Sequence, residues 1–137
     1  MATVYNIAKA RLANGGLDLD TDDIRVLLVN SSYAVNADHD FVNQITNELS
    51  GTGYVRKSLA GEVVTEVDAS DWAFFDANDV VWTAIDAGTA YAAVVYKFVT
   101  VDADSPLIAY VLLTPAVVTN GGDLTVSWSA NGILRIA

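Results

Sequence analysis

Two apolar runs lie close together past the middle of the chain, Tyr91-Ala-Ala-Val-Val-Tyr-Lys-Phe98 and Leu107-Ile-Ala-Tyr-Val-Leu-Leu113. The polar stretch Asp102-Ala-Asp-Ser-Pro106 falls between them. Both runs are rich in Val, Ile and Tyr, which suit a pleated surface, and neither carries a helical stripe. Apolar residues occupy both faces of each run, the pattern of strands covered on two sides. The runs therefore predict a central β-hairpin, and a chain that folds around it must supply a cover for each face.

The remaining segments read as short elements. The spacing of Val4, Ile7, Ala8, Arg11 and Leu12 predicts an amphipathic helix over 4–13, with Thr3 as N-cap and Asn14-Gly15-Gly16 as its stop. Ile24-Arg-Val-Leu-Leu-Val29 predicts a buried strand, reached through the acidic turn Asp18–Asp23. Asp40 is placed to cap a helical turn carrying Phe41, Val42 and Ile45. Strands are expected over 54–59 and 62–67. A hairpin is expected from Asp71–Phe75 and Asp79–Trp82, closed by Asp76-Ala-Asn-Asp79. Pro115 and Asn120-Gly-Gly-Asp123 read as turns. Leu124–Trp128 alternates cleanly, and Asn131-Gly132 predicts a hairpin returning through Ile133–Ile136. About nine short strands and two short helices point to a mainly β chain, an antiparallel sandwich or barrel. With no repeat or linker in 137 residues, a single domain over 1–137 is expected.

Composition narrows the function classes. Hydrophobic residues make up 53% of the chain, which argues against disorder. No apolar run approaches the ~18 residues of a membrane-spanning helix, and Met1–Asn6 has neither the basic nor the apolar part of a secretory signal. There are no cysteines, so disulfides and thiolate metal sites are excluded. Seven Lys and Arg face seventeen Asp and Glu, a net charge of −10, and only Arg56 and Lys57 are adjacent. That surface lacks the cationic footprint a nucleic-acid binder needs, and it repels anionic membranes. No nucleic-acid or membrane partner is expected.

Several constellations imitate chemistry. Asp18, Asp20 and Asp22 resemble the opening of a calcium loop, but Asp23 and Val29 stand where such a loop needs Gly and Glu. A turn leading into a strand is the better reading. Ser50-Gly-Thr-Gly-Tyr54 lacks the Lys of a phosphate-binding loop and precedes a strand, so it is expected to be a sharp bend. His39 is the only histidine, it lies between two aspartates, and no nucleophile motif accompanies it. A solvated loop position is expected. The carboxylates single out no acid–base pair. Trp72, Phe74, Phe75 and Trp82 either line a sugar groove or belong to the core, with a part-exposed Trp at an oligomer interface as a third option. No catalytic, cofactor-binding or metal-binding residue is assigned, and no cofactor is expected.

The order of motifs resembles a family of small virion proteins of tailed bacteriophages. The pieces are the opening Ala8–Asp22 with its Asn14-Gly-Gly-Leu-Asp-Leu-Asp20, the strand Ile24–Val29, Asn47-Glu-Leu-Ser-Gly-Thr-Gly-Tyr54 and Asp79-Val-Val-Trp82. They continue with Val95-Tyr-Lys97, Ser105-Pro-Leu-Ile-Ala109 and the closing Gly121–Ile136. The resemblance spans nearly the whole chain. It implies a non-enzymatic particle component, above all a head decoration (cement) protein. Such a protein sits as a homotrimer on the outer capsid surface, clamps the major capsid protein, and passes through the host cytoplasm during assembly. A tail or baseplate component, a carbohydrate-binding module and, last, a small hydrolase are the rival readings.

Overall fold

The structure, a computed structural model, describes residues 2–137. Ten strands are found among them: β1 (Thr3–Val4), β2 (Ile24–Val29), β3 (Lys57–Ser58), β4 (Val63–Val67), β5 (Trp72–Asp76), β6 (Val80–Trp82), β7 (Thr89–Lys97), β8 (Leu107–Val118), β9 (Leu124–Val126) and β10 (Leu134–Ile136). One helix, α1 (Asn6–Asn14), lies in the N-terminal half, and single 3₁₀ turns occupy Val42–Gln44, Asp68–Ser70 and Asp102–Asp104. The strands form antiparallel sheets ordered β1-β8-β7-β2-β3, β10-β5-β4 and β6-β9. They stack as a sandwich, and no sheet closes into a barrel.

The predicted hairpin is the centre of the larger sheet, where β7 and β8 pair from Tyr96↔Leu107 outward. Its two-faced apolar pattern has the expected consequence. One face carries Ile24, Val26 and Leu28 of β2 with Ala93 and Val95 of β7, and the smaller sheets cover it with Phe75, Trp82, Leu124, Val126 and Leu134. On the opposite face Leu27, Val29, Val94 and Tyr96 meet Tyr5, Tyr33 and Val42, which arrive from the N-terminal segment and the 30–45 loop. That loop therefore acts as the second cover. Each aliphatic side chain so buried stabilises the fold by roughly 1.5–3 kcal/mol.

Where the structure departs from expectation, a longer-range partner outcompetes the local signal. Thr3 does not cap a helix: Thr3 and Val4 pair with Tyr110 and Ala109 as a strand, and the helix begins at Asn6 with Tyr5 as N-cap. Sheet hydrogen bonds satisfy those backbone groups better than a hydroxyl cap. Asp40 does not cap either. The Gln44 side chain reaches back and accepts the Asp40 and Phe41 N–H groups at 2.7 and 3.0 Å. The 54–59 strand shrinks to Lys57–Ser58. Pro115 lies within β8, where a register shift in the β7 pairing accommodates it.

Two expected hairpins do not form. β5 pairs with β4 and β10, whereas β6 pairs with β9. The connection between them crosses from one sheet to the other, held by the Asn78 N–H on the Ala60 carbonyl at 2.9 Å. The Asn131-Gly132 turn likewise sends β10 to β5 instead of back along β9. Gly132 is required there for packing: a Cβ would run into the Phe75 carbonyl and the Phe74 ring.

One polar clamp joins the segment before β3 to the Asp102–Asp104 turn. Arg56 donates to both Glu48 oxygens at 2.7 and 2.8 Å and to both Asp102 oxygens at 2.7 and 3.1 Å. The Tyr54 hydroxyl donates to Glu48 at 2.7 Å. All three charged side chains retain contact with water, so the clamp contributes modestly. Arg56→Met is expected to cost about 1 kcal/mol, a few degrees of Tm, and to speed amide exchange at Val101–Ser105. Unchanged exchange in that loop would show that the clamp does not hold it.

Candidate docking surfaces

The residues that imitate chemistry occupy structural positions. The acidic turn leads into β2 as expected: the Asp22 N–H bonds the Asp18 carbonyl at 2.9 Å, and the Asp22 carboxylate accepts the Asp18 N–H at 2.8 Å. Asp22 also pairs with Lys97 at 2.8 Å. A shared hydrogen bond holds the Asp18 carboxyl below its usual range and pushes Asp20 above it. Among the described residues no three His, Cys, Asp or Glu side chains converge as a metal-holding group. The glycine-rich stretch is the expected bend. A Cβ on Gly53, whose φ is +75°, would stand 2.6 Å from the Ala84 carbonyl, because the bend packs against the 84–87 loop.

His39 is not simply a solvated loop residue. Its Nδ1 lies 3.1 Å from the Tyr33 hydroxyl, which in turn lies 3.0 Å from the Tyr5 hydroxyl. The four aromatics that could have lined a sugar groove are not brought together. Trp82 and Phe75 are buried, and Trp82 Nε1 donates to the Val55 carbonyl at 2.7 Å. Trp72 and Phe74 lie on the other face of β5.

Those two define the first candidate surface. In the β10-β5-β4 sheet, Phe75 and Leu134 point inward, so alternation turns Trp72 and Phe74 outward beside Val67, Thr65 and Arg135. The Trp72 and Phe74 rings are 5.5 Å apart, and the Arg135 guanidinium lies 5.1 Å from the Trp72 ring centre. Both aromatics are half-buried. Aromatic and Arg side chains on a rigid sheet are the residue types that anchor protein interfaces, because they bring large area with few free rotors. Arg135 over the indole also occupies the ring face that a sugar would stack on.

The second surface is an open groove of about 900 Å³ between β8 and the 125–137 segment. Val111, Leu113 and Pro115 form one wall, and Val126, Trp128 and Ile133 the other. Among the described residues that line it, Arg135 is the one with an ionisable side chain. The outermost described pair of β1 with β8 is Thr3↔Tyr110, and beyond Tyr110 β8 runs on to Val118, paired among the described residues with β7. Sequence reasoning missed this groove because its walls come from three separated segments. The length of the apolar run beyond Leu113, through Val117 and Val118, was the one available signal.

No protein-family model, curated protein or solved structure matches this chain.

Proposed function

We propose that this protein is a non-enzymatic structural component of a tailed-bacteriophage virion, specifically a head decoration protein. It binds the outer surface of the assembled capsid through the major capsid protein and associates with its own copies as a homotrimer. The observation that carries this reading is the outward Trp72–Phe74 pair with Arg135, an apolar anchor on a rigid sheet in an acidic exterior. The motif resemblance over nearly the whole chain supports the same reading. A ligand that binds the assembled shell, and not its dissociated subunits, stabilises the shell by linkage, and repetition over many sites multiplies the effect. The net charge of −10 favours a protein partner over nucleic acid or a membrane surface.

Particles made without this protein are expected to assemble but to open at lower temperature or lower external salt, when the pressure of packaged DNA is greatest. Adding back the purified chain is expected to restore heat resistance, and Trp72→Ala is expected to bind the particles about tenfold or more weakly. Normal heat resistance in depleted particles, or density for the chain only on the tail, would overturn the assignment.

A further inference from the structure

We propose that the free edge of β4 takes an extended segment of another protein as an added strand, and that this segment carries Lys or Arg two residues from a Val or Ile. β4 is the outer strand of the sheet ordered β10-β5-β4. Among the described residues it pairs with β5 alone, in one unbroken register from Val63↔Asp76 to Val67↔Trp72. Its outward backbone N–H and C=O groups therefore face a free margin. Val63 and Val64 point to opposite faces of the sheet, yet they stay 45% and 48% exposed, so the edge is open on both faces.

Edge strands are ordinarily blocked by Lys, by Pro, by a bulge or by other charges. Residues 62–67 hold no Lys, no Pro and no register shift, and the charges there are Glu62 and Glu66. Acidic guards act selectively. An antiparallel β4–β4 pair centred on Val64 sets Glu62 against Glu66 in both directions, and like charges across strands destabilise. A second copy, itself at net charge −10, is turned away. A basic segment meets no such barrier.

A hollow of about 590 Å³ at the end of β4 sets where that charge goes. Val64, Glu66 and Ala73 line it, together with Asp68 and Asp71 from the turn that follows β4. The register places Val64, Glu66 and Ala73 on the face of Phe75. Glu66, Asp68 and Asp71 take part in none of the ion pairs among the described residues, and no Lys or Arg lines the hollow. In an added strand, the side chains directly across from Val64 and Glu66 stand about 5 Å away on the same face. An apolar residue across from Val64 extends the apolar surface, and a Lys or Arg across from Glu66 faces three carboxylates. The backbone ladder supplies affinity for an extended segment, and the hollow selects its charge.

This inference goes beyond the proposed function, because it holds for whichever protein supplies the segment. It is tested on the purified full-length chain without particles, so its failure leaves capsid binding to be judged separately. The probe is an acetylated and amidated peptide of about ten residues repeating Thr-Val-Thr-Lys, the length of a long strand. One control carries Glu in place of Lys. The other is the Lys peptide N-methylated at every residue, which keeps the charge and cannot form a ladder. Saturating Lys peptide is expected to slow amide exchange within Val63–Val67 about tenfold or more. It is also expected to bind about tenfold or more tightly than either control, and less tightly as salt is raised. Glu66→Lys, at an exposed position, is expected to melt like the wild type and to lose most of the preference for Lys over Glu. Equal binding of the N-methylated peptide, protection on a strand other than β4, an undiminished preference in Glu66→Lys, or no binding at millimolar peptide would overturn the inference.

Discussion

Raising the pH beyond ~10 is expected to unfold this protein cooperatively, with its tyrosines ionising in the same step as the loss of β-structure. Burial pushes the hydroxyls of Tyr5, Tyr33, Tyr54, Tyr96 and Tyr110 above the ordinary tyrosine value, and it is the leading cause in every case. In Tyr5 the bond to Tyr33 adds to the effect, and in Tyr96 the nearby Arg56 opposes it. A hydroxyl with a higher pKa folded than unfolded contributes stability that is complete below the unfolded value. That stability drains away as the pH climbs towards the folded one. Each unit of difference is worth about 1.4 kcal/mol per group, against a total stability of roughly 5–15 kcal/mol. A few such groups are enough to turn the balance. Phenolate absorbance and circular dichroism followed together against pH test this. A steep, shared transition is expected, and independent titration of these five tyrosines near ~10 with native dichroism would contradict it.

Trp82→Ala is expected to be the most damaging single substitution among the tryptophans. The side chain is fully buried between the sheets, and its ring nitrogen satisfies the Val55 carbonyl. Truncation removes the indole, leaves a cavity and loses the hydrogen bond to Val55, together about 3–5 kcal/mol. For a chain of this size that lowers Tm by about 15 °C. Trp82→Phe keeps much of the area but loses the hydrogen bond, so a loss of about 1–3 kcal/mol is expected. Trp72→Ala, on the outward face of β5, should cost less than half as much as Trp82→Ala, which lets it report on docking in a folded protein. Thermal melts of the three variants decide the order. Equal losses at Trp72 and Trp82 would mean that the outward face is not the free surface argued above.

Much of the larger sheet was legible because its strands are long and their burial pattern is local. Ile24–Val29 was read with the bounds it has, and the mixed apolar faces of β7 and β8 implied two covers, which the smaller sheets and the 30–45 loop supply. The helix stop was legible too, since Gly15 takes the left-handed conformation at the end of α1. These signals depend only on which side chains a residue's neighbours place beside it along the chain.

Strand partners and both docking surfaces were decided by the tertiary structure. β6, β9 and β10 are three residues each, long enough to show that alternate side chains go inward but too short to specify a neighbour. Asp76–Asp79 and Asn131-Gly132 are competent turns, yet the strands that follow them move to other partners. That choice lets Phe75, Trp82, Leu124, Val126 and Leu134 enter one core. The roles of Trp72 and Trp82, ten residues apart in similar apolar surroundings, separate for the same reason. Period-two alternation tells which side chains share a face. Which face is covered depends on surfaces brought together from the far ends of the chain, where burial outweighs the preference of any single turn.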